Sequence, residues 1–246
     1  MISVIKDFLN SYDLPVSDEQ LQMLESYRNF ILERNKRINL TAIKDPDDFD
    51  IKHYVDSLSL LSMPEYKKSK TVVDLGTGAG LPGVPLAVFS PSKEFLLVDA
   101  LKKRLQVIDE IASELGLKNI RTLHARAEDL GKDDEYREKF DLCVSRAVAE
   151  LNVLSEYCLP LVKLGGYFIA YKGSSTGAEC QRAERAIRML GGKIGDCRRY
   201  DLRDFTDQPG DKCDKNEHCL LVIKKAAQTP IKYPRRAGRP AKKPIR

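Results

Sequence analysis

The N-terminal part of the chain spaces its apolar residues as an amphipathic helix does. Ser17 begins a capping box that Gln20 completes, a pattern typical of a helix start. Apolar residues then recur at helical spacing, at Leu21, Leu24, Tyr27, Phe30 and Ile31. A second segment of this kind, about 47–61, has apolar residues at positions 51, 55, 58 and 61. The pattern predicts a helical N-terminal extension over residues 1–65.

From residue 70 onward, short apolar runs alternate with helical segments. The runs predict strands at 71–75, 94–99, 119–124, 139–145 and 166–171, with helices at 82–89, 102–115, 148–163 and 177–190. This alternation predicts a mostly parallel sheet that helices cover on both faces. Two further strands, about 193–202 and 218–224, are joined by a polar loop. Because parallel neighbours need a longer crossover, these two strands predict an antiparallel hairpin that closes a seven-stranded α/β sheet. We therefore assign residues 66–225 to this domain and 226–246 to a C-terminal tail.

The charge of the chain is concentrated at its end. The 246 residues are 42% hydrophobic and 31% charged, values typical of a folded globular protein. The net charge is +5, but residues 224–246 contain nine basic residues and no acid, which leaves 32 basic and 36 acidic residues elsewhere. This asymmetry favours a polyanionic partner, although a disordered solubilising tail has the same composition.

Apolar runs and cysteines indicate the compartment. The longest runs, such as 220–223, are too short to span a bilayer, and the N-terminus does not have the pattern of a signal segment. We expect the six cysteines, which include no C-x-x-C pair, to be free thiols in a reducing cytoplasm. His218, Cys219 and Cys213 do not have the paired spacing of metal ligands, so no metal is expected.

A glycine-rich loop follows the first predicted strand, in the segment VVDLGTGAGLPGVPLAV at 72–88. Positions 78–83 fit the dinucleotide fingerprint G-x-G-x-x-G, and positions 74–80 fit the D-x-G-x-G-x-G loop that holds S-adenosylmethionine. Asp99, at the end of the second strand, suits the ribose of either nucleoside. Asp74 favours the methyl donor, because a carboxylate there repels a pyrophosphate and attracts an ammonium and a sulfonium. The closing hairpin also resembles the class I methyltransferase fold.

The methyl acceptor is predicted from the end of the fourth strand. The Asn/Asp-Pro-Pro-aromatic element of exocyclic-amine methylases is absent there, and Cys143 lies within an apolar strand, as a buried residue rather than a nucleophile would. Arg146 instead supplies a permanent cation. Guanine N7 fits a site with a cation and no general base, because it loses no proton on methylation. It needs only to be positioned in line with the methyl group. Small-molecule O- or N-acceptors remain open on this argument.

Several motifs in order resemble one family, the 16S ribosomal RNA guanine-N7 methyltransferase G family, also called the glucose-inhibited division protein B family. They are N-K-x-x-N-L-T at 35–41, H-x-x-D-S-L at 53–58, D-L-G-T-G-A-G-L-P-G at 74–83, F-D-x-x-x-S-R-A at 140–147, G-G-x-x-x-x-Y-K-G at 165–173 and Y-P-R-R-A-G-x-P at 233–240. The similarity covers essentially the whole chain.

The resemblance implies methylation by S-adenosylmethionine of guanine N7 at nucleotide 527, in the 530 loop of 16S ribosomal RNA. The expected partner is this RNA, free or within the small subunit or its precursor, and we expect a monomer in the cytoplasm. Methylation of another RNA or a small molecule, and a nicotinamide-dependent oxidoreductase, are the alternatives. The expected donor-binding residues are Asp74, Gly76, Thr77, Gly78, Gly80, Leu81, Asp99, Ala127, Glu128 and Arg146.

The resemblance also implies which side chains meet the acceptor. Arg146 and Lys172 are expected to position it, with no general base and no metal. The expected RNA-binding residues are Asn39, His53, Asp56, Lys103, Arg126, Lys172, Arg235, Arg236 and Arg239. For His53 and Asp56, three apart on a predicted helix, a purely structural hydrogen bond is the alternative. For Glu128, the alternative is an exposed loop acid.

Overall fold

The computed structural model describes residues 2–146, 148–202 and 217–246. Helix α1 spans Ile2–Ser11 and α2 spans Asp18–Asn35. The predicted capping box is present, since Ser17 Oγ accepts from Gln20 N at 3.2 Å and Gln20 Oε1 accepts from Ser17 N at 3.0 Å. This exchange satisfies amide donors that the first helical turn leaves without partners.

The second predicted helix changes its winding along its length. It begins as α3 (Pro46–Phe49), widens to a π-helical turn over Asp50–Val55 and continues as α4 (Asp56–Leu58). A 3₁₀ turn over Ser59–Ser62 and α5 (Pro64–Lys68) follow. The apolar spacing predicted a helical segment but gave no sign of the π turn, a feature that often lies at functional sites.

The predicted sheet of seven strands is confirmed. Its strands are β1 (Thr71–Leu75), β2 (Glu94–Asp99), β3 (Ile120–His124), β4 (Phe140–Arg146), β5 (Val162–Lys172), β6 (Gly192–Asp201) and β7 (Glu217–Lys225). Their order in the sheet is β3-β2-β1-β4-β5-β7-β6. β7 runs antiparallel to both β5 and β6, and the other described strand pairs are parallel. The carboxyl ends of β1, β2, β4 and β5 therefore lie at one edge, where ligands bind in open α/β folds.

Helices cover both faces of the sheet. They are α6 (Gly83–Val88), α7 (Lys102–Glu114), α8 (Ala127–Leu130), α9 (Leu151–Cys158), α10 (Thr176–Met189) and α11 (Arg239–Lys242). Successive β1 residues point to opposite faces: Val72 joins a core that includes Phe8 and Tyr27 of the N-terminal helices, whereas Val73 joins a core that includes Leu154 of α9. The N-terminal helices thus share a core with the sheet.

The expectation of six free thiols is wrong for two cysteines. Cys197 on β6 and Cys219 on β7 form a disulfide, with their Cα atoms 6.1 Å apart. Arg199 lies directly opposite Cys219 in the antiparallel register, which places Cys197 diagonally across from it. Residue counts and spacing do not reveal a cross-strand register, so the pair was not predicted. Cys143, Cys158 and Cys180 are free, and Cys213 lies outside the described residues.

The C-terminal tail is packed against the domain. Arg235 donates to Glu156 on α9 through its backbone N at 2.7 Å and through Nη2 at 2.6 Å. Tyr233 is buried with the α9 core, and Arg137 donates to the carbonyls of Thr229 and Tyr233. Part of the basic segment at 226–246 is therefore held against the domain by structural contacts.

Within 2–146, 148–202 and 217–246, no helix combines the length and apolarity needed to cross a membrane. Over the same ranges, no group of histidine, cysteine and acidic side chains is arranged to hold a metal ion.

Candidate active site

The glycine loop after β1 is fixed by backbone contacts to the neighbouring strand. The amides of Gly76 and Thr77 donate to the carbonyl of Val98, at 2.8 and 3.0 Å. Gly78 has a φ of +61°, which disfavours a residue with a side chain. A Cβ at Gly78 would meet only the Gly76 carbonyl oxygen at 4.0 Å. The loop therefore leaves open space beside its backbone.

Asp74 supports this loop from beneath. Its Oδ2 accepts from the Thr77 hydroxyl at 2.7 Å and from Gly83 N at 2.9 Å. The side chain is completely buried, and within the described part of the chain no donor reaches Oδ1. Burial raises the pKa of Asp74 to about 6, although the two hydrogen bonds act in the opposite direction.

The carboxylate of Asp74 lies under the loop, and its role in donor binding stays a prediction. The carboxylate holds the loop and does not line the cavity above it. Its charge acts on a ligand through the field that it creates beneath the loop. Gly80 is also covered, since a Cβ there would meet Val84 Cγ2 at 2.7 Å. The hydroxyl of Tyr27 on α2 donates to the carbonyl of Ala79 at 2.5 Å and so joins the N-terminal helices to the loop.

Above the loop lies a cavity of about 520 Å³, here called the glycine-loop cavity. Of the predicted donor-binding residues, it brings together Gly76, Thr77, Gly78, Leu81, Asp99 and Arg146. Asp99 is nearly buried, and its carboxylate accepts from Gly78 N at 3.0 Å and Leu101 N at 2.8 Å. The apolar side chains of Leu101 and Val148, 54% and 41% exposed, form part of its wall.

A second cavity of about 350 Å³, here called the Lys172 cavity, lies beside the first. His53 and Arg146 line both cavities. Asp56, Lys172 and His218 line the second one. Two adjacent cavities with a shared wall provide separate places for a donor and an acceptor whose reacting atoms meet near that wall.

A chain of hydrogen bonds connects the N-terminal helices to the shared wall. Asn35, the last residue of α2, accepts from the amides of Leu40 and Thr41 at 2.8 and 3.0 Å and donates to the carbonyl of Thr41. Thr41 Oγ1 lies 2.7 Å from Nε2 of His53, and Nδ1 of His53 lies 3.4 Å from Nη2 of Arg146. Within the motif at 35–41, Asn35 therefore fixes the backbone of residues 40 and 41 and has a structural role.

The hydrogen bonds define the protonation state of His53. A guanidinium can only donate, so Nδ1 of His53 accepts from Arg146 and the ring proton is on Nε2, which donates to Thr41. Burial, together with the charge of Arg146, lowers the pKa of His53 to about 3. His53 is therefore neutral at physiological pH, and its Nδ1 lone pair is occupied.

Asp56 holds Arg146 from the other side. Its Oδ2 lies 2.8 Å from Nη1 of Arg146, and its Oδ1 accepts from Tyr200 and His218 at 2.6 and 3.0 Å. Burial by itself would raise the pKa of Asp56, but the His218 hydrogen bond and the Arg146 charge outweigh it and lower the pKa to about 2. Asp56 thus positions Arg146. His53 and Asp56 both contact this arginine, so each has a structural role, although not through a hydrogen bond to the other.

Lys172, the last residue of β5, is also held by protein groups. Its Nζ donates to Glu179 Oε2 at 2.7 Å and to the carbonyl of Ala149 at 2.9 Å. Glu179 in turn accepts from Leu151 N and the Ser175 hydroxyl. Burial would raise the pKa of Glu179, but Lys172 lowers it below its ordinary value. The Lys172 side chain is therefore held in place on the cavity wall.

The other predicted RNA-binding residues fall into two groups. Exposed side chains outside both cavities belong to Asn39, Lys103, Arg126, Arg236 and Arg239. By contrast, the guanidinium of Arg235 is paired with Glu156, which is fully buried. The charge of Arg235 thus already has a partner within the fold, and its contact with RNA stays a prediction.

Glu128 also has a partner within the fold. It is buried, and its Oε1 accepts from the backbone N of Gly238 in the tail at 2.7 Å. Its burial contradicts the alternative of an exposed loop acid, and the adenine-binding role of Glu128 stays a prediction. Ala127 is partly buried at the start of α8 and does not line the glycine-loop cavity, so its contact with the adenine stays a prediction.

Several residues of the site were not among the predicted donor-binding or RNA-binding residues. Thr41 and Val148 line the glycine-loop cavity, and Tyr200 and His218 bind Asp56. Thr41 lies within a recognised motif, so its position carried a usable signal. Tyr200 and His218 reach Asp56 through the register of the hairpin, for which a linear motif gives no signal.

Solved structures with the same architecture have methyltransferase folds. A SAM-dependent O-methyltransferase from Thermotoga maritima matches with a TM-score of 0.52 and 14% identity, over 81% of this chain and 72% of that one. The Methanococcus jannaschii fibrillarin pre-rRNA processing protein matches with a TM-score of 0.50 and 16% identity, over 67% and 70%. The fold is that of the class I S-adenosylmethionine-dependent methyltransferases, with the glycine-loop cavity at the carboxyl edge of its sheet.

Sequence comparison identifies the family within this class. The family model described as rRNA small subunit methyltransferase G, GidB, matches residues 20–198. A ribosomal RNA small subunit methyltransferase G from Alkaliphilus metalliredigens is 44% identical over 99% of this chain and 98% of its own length. One from Desulforamulus reducens is 44% identical over 98% and 97%. The chain belongs to the rRNA small subunit methyltransferase G family. This confirms the family predicted from the motifs and the choice of S-adenosylmethionine over a nicotinamide cofactor.

Proposed function

We propose that the protein methylates N7 of a guanine in 16S ribosomal RNA, the guanosine at nucleotide 527 of the 530 loop. Its relatives are named for methyl transfer to small-subunit ribosomal RNA. The observation that carries the choice of atom is the state of the Lys172 cavity. Its titratable side chains are bonded to other groups of the protein. They are therefore better suited to positioning a substrate than to removing a proton.

The candidate bases in that cavity have structural roles, and His218 uses its Nδ1 to bind Asp56. Asp56 accepts from three donors, the Tyr171 hydroxyl donates to the carbonyl of Ser57 at 2.9 Å, and Lys172 is paired with Glu179. His53 is neutral, and its Nδ1 faces Arg146. Guanine N7 has an available lone pair and loses no proton when methylated, so in-line placement is the main requirement.

The glycine-loop cavity fits the methyl donor. S-Adenosylmethionine supplies an electrophilic methyl group when it is bound. The unpaired, buried Oδ1 of Asp74 leaves negative charge beneath a loop that would face the cationic end of the donor. Gly78 leaves space beside the loop, and Asp99 would bind ribose hydroxyls. Leu101 and Val148 would cover the apolar parts of the nucleoside.

Arg146 and Lys172 would orient the guanine. A guanidinium or ammonium donates readily to guanine O6 and to flanking phosphates. Arg146 lines both cavities and is therefore placed where the methyl group crosses from one to the other. The ionised Asp56 beneath it offsets part of the positive charge that the guanine ring acquires on methylation.

The exposed cations outside the cavities would bind the RNA backbone. Arg236 and Arg239 lie on the packed tail beside α8, because Gly238, between them in sequence, is bonded to Glu128. Arg126 precedes α8 and is exposed. Lys103, exposed on α7, would supply a further cation for phosphates. The substrate would be 16S ribosomal RNA, free or within the small subunit or its precursor, and the enzyme would act as a monomer in the cytoplasm.

Label transfer tests this function. The protein is incubated with S-adenosylmethionine labelled in its methyl group, with 16S ribosomal RNA or small subunits from cells that lack the gene, or with a metabolite extract. Label should enter the RNA, and borohydride–aniline treatment, which cleaves at N7-methylguanosine, should cut once in the 530 loop. Label in metabolites alone, or labelled RNA that resists cleavage, would refute the proposed acceptor.

A further inference from the structure

The C-terminal hairpin presents two hydrogen-bond donors to one buried oxygen. Tyr200 on β6 and His218 on β7 are directly opposite each other in the antiparallel register, with ring centroids 5.8 Å apart. Both reach the same acceptor, Oδ1 of Asp56, at 2.6 and 3.0 Å. The cross-strand pair therefore acts on Asp56 as one unit.

The two oxygens of Asp56 divide their contacts between two parts of the molecule. Oδ1 faces the hairpin, and Oδ2 lies 2.8 Å from Nη1 of Arg146. A carboxylate is planar, so fixing one oxygen also fixes the direction in which the other accepts. Because the side chain of Asp56 is only 4% exposed, water is not readily available to replace a lost donor.

Arg146 depends on this carboxylate for its orientation. Among the described residues, its guanidinium makes hydrogen bonds through Nη1 and Nη2, to the Asp56 side chain, His53 and Ser57. The Asp56 contact is the shortest of these, since the other distances are 3.4 and 3.5 Å. A change in the direction of Oδ2 would therefore turn the guanidinium on the wall shared by the two cavities.

We propose that Tyr200 and His218 are positioning residues for methyl transfer, which orient Arg146 through Asp56. The inference rests on the proposed function, in which Arg146 orients the guanine. It gives the C-terminal hairpin a part in catalysis although neither side chain contacts the glycine loop. Neither residue needs to touch the reacting atoms, because the effect passes through one shared carboxylate.

The test compares variants that remove or keep each donor. Tyr200→Phe deletes only the hydroxyl, His218→Leu deletes the imidazole donor, and His218→Asn retains an N–H donor near the position of Nδ1. Tyr136→Phe is the matched control, since Tyr136 lies with Thr71 and Glu94 at the opposite edge of the sheet. Each variant is assayed for kcat and KM with 16S ribosomal RNA, for S-adenosylmethionine affinity by calorimetry, and for thermal unfolding.

Tyr200→Phe and His218→Leu should each lower kcat about tenfold, the effect of leaving a buried acceptor partly unsatisfied. Donor affinity should stay within about twofold, because the glycine loop is untouched. His218→Asn and Tyr136→Phe should retain most of the rate. Unchanged kcat in Tyr200→Phe and His218→Leu, or equal loss of kcat and donor affinity, would overturn the inference.

A spectroscopic readout keeps this outcome separate from failure of the proposed function. The NMR signals of the Arg146 guanidinium report its orientation in the free enzyme, with no RNA present. They should shift in Tyr200→Phe and His218→Leu and return towards the wild-type position in His218→Asn. If the wild type does not methylate 16S ribosomal RNA, the proposed function fails on that result. Unshifted Arg146 signals would overturn the positioning role in either case.

Discussion

Nδ1 of His53 lies 3.4 Å from Nη2 of Arg146, and Nε2 of the same ring lies 2.7 Å from the hydroxyl of Thr41. A neutral imidazole thus joins the loop at the end of α2 to the arginine at the end of β4. The ring lies at the centre of the site but has both nitrogens occupied. A histidine in this state supports geometry rather than proton transfer.

His53 should make the stability of the protein depend on pH. Its pKa falls from 6.5 to about 3 on folding, so between these values the unfolded chain binds a proton that the folded protein does not. The stabilisation is fully present above pH 6.5 and is lost as the pH falls towards 3. The free energy of unfolding should therefore rise with pH, by at most about 1.4 kcal/mol per unit from this group.

The variant His53→Asn removes the titration but keeps an acceptor for Arg146. Urea unfolding of both proteins at several pH values between 4.5 and 7 should give a flatter curve for the variant. Parallel curves, or imidazole NMR signals that titrate with a pKa near the ordinary histidine value, would show that His53 is not buried as a neutral ring.

Asp74→Asn should weaken binding of S-adenosylmethionine more than binding of RNA. The substitution removes the charge beneath the glycine loop and places an amide beside Thr77 and Gly83, which both donate to Asp74. We expect the Kd for the donor to rise at least about tenfold, equal to about 1.4 kcal/mol, with RNA affinity within about twofold. Calorimetry measures the first value and fluorescence anisotropy the second.

Asp7→Asn is a matched change of charge at an exposed position on α1, and it should affect neither affinity. Donor affinity of the wild type should also fall as the pH decreases through about 6, where Asp74 gains a proton. Equal losses of donor and RNA affinity in Asp74→Asn would contradict a specific electrostatic role.

Neighbouring arginines of the tail should have different functions. Arg235→Met leaves Glu156 buried without its cation and should destabilise the protein by about 3–5 kcal/mol. Arg236→Ser with Arg239→Ser should leave stability nearly unchanged, because both side chains are exposed. It should instead weaken RNA binding and reduce the slope of log Kd against log salt by up to about 2. Unfolding curves and salt titrations distinguish the variants, and an unchanged salt slope would place the RNA elsewhere.

The strands were predictable because their apolar runs are local. The predicted ranges 71–75 and 94–99 coincide with β1 and β2, and the polar loop before residue 218 correctly indicated an antiparallel return. The π turn at Asp50–Val55 was not predictable, since its apolar spacing also suits an ordinary helix. Local periodicity therefore predicted whether a segment is a helix or a strand, but it did not predict how a helix is wound.

The site was predictable only as separate motifs. Asp99 and Arg146 could be placed at the carboxyl edge because parallel strands bring their ends together. The bonds from Asp56 to Arg146, Tyr200 and His218 join residues far apart in sequence, and no local pattern specifies such contacts. Arg235 shows the same limit, since its charge was visible in the sequence but its buried partner Glu156 was not.

Arg146→Lys should impair methyl transfer although it retains the charge. A lysine cannot contact both Asp56 and His53 with the fixed fork of a guanidinium. We expect kcat with RNA to fall about 10- to 100-fold. Arg185→Lys on α10, an exposed position, is the control and should retain full activity. Wild-type kcat in Arg146→Lys would mean that the orientation of the cation does not matter.

The most direct test of the account is the modification state of the 530 loop in cells. Mass spectrometry of 16S ribosomal RNA fragments should find N7-methylguanosine at nucleotide 527 when the gene is present. The methyl group should be absent from cells that lack the gene, should return with the wild-type gene, and should return to a lower level with Arg146→Lys at equal protein level. An unchanged N7-methylguanosine content at that nucleotide in cells without the gene would contradict the proposed function.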